Sequence, residues 1–395
     1  MVEWKYINEI IVSLKTGLNP RQNFRLNTPE SIFPYITGKD IFNNKINVTS
    51  VTDRVDSKAV DLINKRANLE DNLLLFASTG TGTVGRMAII EKYESDWAIS
   101  ETLYAIKTTD AISPQFLMYS LYSDIAKKQY EPKISKGSVP HLKIVDLLKV
   151  KIPIPSLEEQ TRIVGILDTF TSAIDNLKEQ IAQRKKQYEY YRDQLLDLEG
   201  KPGVEMKTLG DIMQIVRGAS PRPIKNFITT REDGVNWIKI GDVAPGAKYI
   251  TCCNEKITKD GAEKSRFLHV GDFILSNSMS FGRPYILKID GCIHDGWIAM
   301  SDFGKYVLPD FLYEYLNSDV VQKYWIMKAN NGGAMTNLNS DIVKETPIRI
   351  PSFLEQQRIV SILDTFEASI RNLEQQLALR EKQYEYYRNK LLTFD

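Results

Sequence analysis

Gly80-Thr81-Gly82-Thr83-Val84-Gly85 has the spacing of a phosphate-cradling loop, in which three glycines let backbone N–H groups approach a pyrophosphate. A dinucleotide site also needs a helix directly after the loop. Here Arg86-Met87-Ala88-Ile89-Ile90 reads as a strand, and the corresponding stretch Ser276–Gly282 lacks two of the three glycines. The expected structure is a hairpin loop presenting Thr79, Thr81, Thr83 and Arg86, with Ser276, Asn277, Ser278 and Arg283 as its counterparts. Small hydroxyl and amide groups beside an arginine can enter a groove and hydrogen-bond to base edges or phosphates. Arg21, Arg25, Lys133, Lys136, Arg217, Arg222, Asn330 and Asn331 stand in further polar clusters near turns. Singly, each suits a solvated surface. As a set they form a candidate reading surface for nucleic acid.

The residue types that catalysis requires are scarce. His141, His269 and His294 are too scattered to suggest a metal cluster, and no Gly-Lys-Ser/Thr loop or nucleophile elbow occurs. The Asn/Asp-Pro-Pro-aromatic tetrapeptide of amino-methyltransferases is absent. His294-Asp295, a lone pair in a loop, reads as structural. Cys252, Cys253 and Cys292 make neither a disulfide framework nor a zinc spacing. The expectation is a binding protein that holds no metal or cofactor of its own.

Charge limits how such a protein could bind. Net charge is +1 over 395 residues, so phosphates would have to be met by local clusters or by another subunit. Residues 1–150 hold 19 basic and 17 acidic groups, and residues 201–346 hold 18 and 17. Residues 151–200 hold 7 and 9, and residues 347–395 hold 7 and 7. No run of about 18 apolar residues could span a membrane, and the Met1-Val2-Glu3-Trp4 start lacks the pattern of a signal peptide. A cytoplasmic, reduced protein is expected.

The elements that must carry these residues come in duplicate. Ile152–Leu198 matches residues 348–394 at a constant offset of 196, with 29 of 47 positions identical. Each copy opens on Pro-Ser-x-x-Glu, a capping box at Ser156/Glu159 and Ser352/Glu355. Apolar residues then recur with alternating steps of four and three, which predicts a long helix with a coiled-coil seam. The seam runs Ile163, Leu167, Phe170, Ile174, Leu177, Ile181, Arg184 in the first copy, and Ile359, Leu363, Phe366, Ile370, Leu373, Leu377, Arg380 in the second. Arg184 and Arg380 stand where an apolar residue is expected, as polar register-setters or as snorkelling side chains. Helices of about 40 residues would be roughly 60 Å long and would most economically pack on each other as an antiparallel pair. Residues 1–150 and 201–346 are only weakly alike and read as α/β (α+β) heads of short strands, with helices around Pro114–Lys127 and Pro309–Tyr324.

The paired Ile-Pro-Ser…Glu-x-x-Arg-Ile-Val-x-Ile-Leu-Asp-Thr-Phe segments and the paired Arg-x-Lys-Gln-Tyr-Glu-Tyr-Tyr-Arg segments, alternating with dissimilar heads, resemble the specificity subunits of type I restriction–modification systems. The resemblance spans essentially the whole chain. It implies two target recognition domains, 1–150 and 201–346, joined by conserved helical spacers, 151–200 and 347–395. It also implies double-stranded DNA as ligand, two methyltransferase subunits docked on the helices, and motor–nuclease subunits in the full complex. S-adenosylmethionine and adenine N6 methylation would belong to the methyltransferase. Unlike heads would read unlike half-sites, about one DNA turn or 34–36 Å apart. A detached recognition subunit for a nuclease–methyltransferase fusion, or a scaffold that binds no DNA, would share the same architecture.

Overall fold

The computed structural model describes residues 2–21, 23–244, 246–277, 281–331, 334–335 and 337–394, without the side chains of Asn331, Ala334 and Met335. It divides into two compact units. The first is Met1–Glu179 with Glu374–Asp395, and the second is Gln180–Leu373. Both long helices, Leu157–Leu196 and Phe353–Leu391, contribute to each unit.

In the first unit a four-stranded sheet has the order Ile11–Thr16, Leu103–Thr108, Leu74–Ala77, Met87–Ile89, every pair antiparallel. Leu73-Leu74-Leu75-Phe76-Ala77 is apolar throughout because both faces of its strand are covered, as successive side chains point to opposite sides. Leu74 and Phe76 join a core with Phe116, Leu117 and Leu121, while Leu75 and Ala77 join another with Tyr35, Ile36 and Ile99. Phe33–Ile36 runs parallel to Ala98–Ile99, with Tyr35 opposite Ala98. The expected helix near Pro114 is two helices, Pro114–Tyr122 and Asp124–Tyr130. Ser123 breaks it by turning extended and capping the second helix, its Oγ accepting from the Ala126 N–H. Glu3–Tyr6 pairs with Lys151–Ile154, so the head opens and closes on one small sheet.

The second unit repeats this plan with a larger sheet system. Gln214–Arg217, Trp297–Ser301, Phe273–Ser276, Pro284–Leu287 and Tyr249–Ile250 form one sheet in that order. Val235–Ile238 runs parallel to Gly291–Ile293, with Trp237 opposite Cys292. Ser318 splits Pro309–Leu316 from Asp319–Ala329 as Ser123 does in the first head, and Glu205–Thr208 pairs with Pro347–Ile350.

The long helices pack antiparallel within each unit. In the first, Phe170 stacks on Tyr387 at 5.5 Å, the Arg380 guanidinium lies 5.7 Å over the same Phe170 ring, and Lys178 pairs with Glu381 at 3.3 Å. In the second, Tyr191 stacks on Phe366 at 5.3 Å, with Arg184 at 5.9 Å over that ring. Arg184 and Arg380 also reach Gln187 and Gln383, each at 3.1 Å. They act as flat cations laid on an aromatic ring, an arrangement the guanidinium suits. Ile174, Ile181 and Ile370 are buried, while Leu177, Leu373 and Leu377 are half-buried. The first seam residues of each copy differ from the heptad expectation. Ile163 and Leu167 belong to the first head's core, and Ile359 and Leu363 to the second's, because the start of each helix lays its stripe against its own head.

The helix starts are pinned by a buried amide that the capping-box reading overlooks. Gln160 accepts from the Ser113 N–H at 3.0 Å and donates to the Ala111 and Pro155 carbonyls at 2.9 and 3.0 Å. Gln356 accepts from the Leu308 N–H at 2.8 Å and donates to the Tyr306 and Pro351 carbonyls, both at 3.0 Å. Ser156 and Ser352 do cap the Glu159 and Glu355 N–H groups. The two glutamates, however, turn forward to bidentate pairs with Arg162 and Arg358.

Candidate nucleic-acid interface

The glycine-rich loop is a hairpin connection, Leu74–Ala77 to Met87–Ile89, with a strand where a nucleotide site would need a helix. Gly80, Gly82 and Gly85 take positive φ of 121°, 71° and 86°, which glycine adopts without strain. Several of its polar groups face inward. Thr83 is buried, its Oγ1 donating to the Thr79 carbonyl at 3.1 Å. Thr79 Oγ1 meets His141 Nδ1 at 2.7 Å, and Arg86 donates to the Ile41 carbonyl at 3.2 Å. Thr81 alone among the four named loop side chains is exposed. Lys133 and Lys136 are exposed on a separate turn, and Arg21 and Arg25 are exposed on the loop after Ile11–Thr16.

In the second head Ser276 and Asn277 are buried, and Arg283 lies 5.7 Å over the Tyr285 ring. Asn330 is exposed, whereas Ser278 and the Asn331 side chain lie outside the described residues. Three of the named residues converge on a fourth that the sequence reading set aside as structural. Arg217 Nε donates to the Asp295 carbonyl at 2.9 Å, and Asn277 Nδ2 donates to the same oxygen at 3.2 Å. The Asp295 carboxylate accepts from Ser220 Oγ at 2.8 Å and from Arg222 at 3.2 Å. The Ser220 hydrogen bond, with smaller help from His294 and Arg222, holds that carboxyl below its usual range. Burial pushes the His294 imidazole down, and its Nδ1 accepts from the Gly296 N–H at 2.8 Å. Through that hydrogen bond His294 shapes the turn.

Strand pairing aligns the heads. Tyr35 corresponds to Trp237, and Leu103 opposite Ala77 corresponds to Trp297 opposite Ser276. Glu101 then falls at the position of Asp295, and Thr16 at that of Arg217. Gly17-Leu18-Asn19-Pro20-Arg21 overlies Gly218-Ala219-Ser220-Pro221-Arg222. Both glycines are required by close approach: a Cβ on Gly17 would meet the Ile99 carbonyl at 1.8 Å, and one on Gly218 the His294 carbonyl at 2.1 Å. This Gly-x-x-Pro-Arg repeat, at an offset of 201 where the helices use 196, was the signal in the sequence that could have located the site.

Each head thus carries the same concavity with different walls. In the first it is about 310 Å³, bordered by Pro20, Tyr35, Lys39, Thr79 and Glu101. The Tyr35 hydroxyl donates to the Leu18 carbonyl at 2.5 Å and lies 3.3 Å from Glu101 Oε2; burial and then that carboxylate raise its pKa. In the second it is about 430 Å³, bordered by Ser220, Lys225, Trp237, Lys239, His294 and Asp295. Each also has two carboxylates on its wall, Asp53 and Glu101 in the first and Glu255 and Asp295 in the second, and such a mix of cations, hydroxyls and carboxylates around an aromatic floor is suited to the donors and acceptors of base edges. A larger cleft of about 680 Å³ in the first unit is bordered by Asp168 and Asp175 of the long helix and by Lys45, Glu91 and Lys92. Among the described residues no group of three or more His, Cys, Asp or Glu could hold a metal ion, and no helix is long and apolar enough to cross a membrane.

Comparison with known proteins bears on the whole chain. A family model described as the type I restriction modification DNA specificity domain matches residues 1–185 and again residues 202–380. A putative type I restriction enzyme specificity subunit of Haemophilus influenzae is 28% identical over 345 residues, covering 82% of this chain and 83% of that protein. The type I restriction enzyme EcoR124I/EcoR124II specificity subunit of Escherichia coli is 32% identical over 266 residues, covering 62% and 63%. A chain solved in work on assembly and conformational transition of the type I restriction–modification system shares the fold with a TM-score of 0.67, at 19% identity over 100% of this chain and 98% of that one.

Proposed function

The chain belongs to the type I restriction modification DNA specificity family, and from that premise we propose how it addresses DNA. It is a DNA sequence-specificity subunit of a type I restriction–modification system, and it supplies the target address while partner subunits carry the chemistry. Each head reads one half of a bipartite target through the concavity built by its Gly-x-x-Pro-Arg loop and its Glu101 or Asp295 turn. The observation that carries this reading is the recurrence of one constellation in both heads with different side chains on its walls. A repeated frame fixes how each head presents itself to a groove, and the unlike walls make the two half-sites unlike. The repeated helices offer two equivalent surfaces, on which two methyltransferase subunits dock. Those subunits bring S-adenosylmethionine and methylate adenine N6. Partner subunits also contribute to phosphate neutralisation, in keeping with a net charge of only +1.

The test is a methylation map. Co-expression with the cognate methyltransferase subunit in a methylation-free host, read by single-molecule sequencing, should give one split, asymmetric N6-methyladenine motif that vanishes when this chain is omitted. Methylation indifferent to the chain would refute the reading and favour a scaffold that binds no DNA.

A further inference from the structure

We infer that Arg217 reads a guanine in the half-site bound by the second head, and that Asp295 is the positioning residue that aims it. This rests on the specificity reading above and adds a named base class to one head.

Arg217 is the last residue of the strand Gln214–Arg217 and is exposed, yet its stem end is fixed. Its Nε is spent on the Asp295 carbonyl at 2.9 Å. An arginine held through Nε presents its two terminal nitrogens together as a fork, the geometry that pairs with guanine O6 and N7. The carbonyl that holds it is itself immobilised. Asn277 donates to the same oxygen at 3.2 Å, and the Asp295 carboxylate is tied to Ser220 at 2.8 Å and Arg222 at 3.2 Å. Three separate chain segments thus define one direction for one guanidinium. Preorganisation of this kind reduces the entropy lost when an arginine settles on a base.

The first head provides the contrast. Thr16 stands at the strand position of Arg217, opposite Tyr104 as Arg217 stands opposite Ile298. Glu101, at the position of Asp295, is exposed and approached by the Tyr35 hydroxyl. The guanine-reading fork therefore belongs to the second head, and its loss should touch one half of the target only.

The experiment compares the methylation maps of the wild-type complex and of Arg217→Ala. The variant should keep one half of the split motif intact and become degenerate at a single G·C pair in the other half, losing roughly 10- to 100-fold discrimination there. A merely structural role for Arg217 would lower methylation at every target alike without changing the motif, and an unchanged motif overturns the inference. Should Arg217→Ala abolish methylation, the wild-type complex itself decides. Its binding is measured on target duplexes in which each guanine in turn is replaced by 7-deazaguanine, which lacks the N7 acceptor. A roughly tenfold loss at one guanine of a single half-site supports the inference, and insensitivity at every guanine overturns it. If the wild-type chain directs no split motif at all, the specificity reading fails and this inference falls with it.

Discussion

Glu314 is only 2% exposed and accepts the Tyr188 hydroxyl at 2.5 Å. Burial raises its pKa to about 7, with the Glu367 charge adding to the rise and Tyr188, Lys248 and Arg192 opposing it. In the unfolded chain the same group ionises near 4.5. Between those values the folded state binds more protons than the unfolded one, so stability from this group is fully present below about 4.5 and is lost as pH rises through about 7. The loss is on the order of 3 kcal/mol. Glu314→Gln should therefore stabilise the protein relative to wild type at pH 8, with the advantage shrinking towards pH 5, as read by urea unfolding at the two pH values. An equal shift at both pH values would remove ionisation as the cause. At this same scale, residue chemistry was legible in the sequence where it was local. Arg217, Arg222 and Asn277 could be named because cations and amides near turns suit a groove. Asp295, the residue that gathers them, reads from the sequence only as structural, because its partners lie 18 to 78 positions away. Thr83 and Arg86 were plausible surface groups by type and are consumed by their own backbone instead.

The two long helices were readable from the sequence because their apolar stripe repeats for more than four heptads and is printed twice. Their partners were not, since a stripe states that a face is buried without stating against what. Ile163, Leu167, Ile359 and Leu363 therefore went to head cores, while the helix–helix contact rests on aromatic clasps. The two clasps correspond residue by residue at the offset of 196: Phe170, Arg380 and Tyr387 in one unit, and Phe366, Arg184 and Tyr191 in the other. The ring carries more of this contact than the cation does. Phe366→Ala removes a half-buried aromatic surface and should cost about 2 kcal/mol. Arg184→Leu removes a partly solvated cation–π contact, keeps an apolar body over the ring, and should cost less than about 1 kcal/mol. Denaturant unfolding of both variants checks the order. A larger loss for Arg184→Leu would restore the arginine to a register-setting role.

Across the whole molecule, the information is divided between what is repeated and what is not. The helices match at 29 of 47 positions, while the heads share a frame of strands, a Gly-x-x-Pro-Arg loop and an acidic turn but differ on the walls of their concavities. On the specificity reading, the repeated part sets how each half-site is presented and the differing part sets which bases are accepted. Asymmetry of the target then comes from the heads alone. A chain in which residues 197–392 are replaced by a second copy of residues 1–196 keeps the helical offset of 196 and both aromatic clasps. It should direct methylation to a palindromic split motif whose two halves both equal one half of the wild-type motif. The reciprocal chain, carrying the second head twice, should yield the other half twice, and only there should a guanine depend on Arg217. Both maps use the same co-expression and sequencing as the wild type. A duplicated chain that still directs an asymmetric motif would mean that base choice depends on where a head sits in the chain as well as on its own walls.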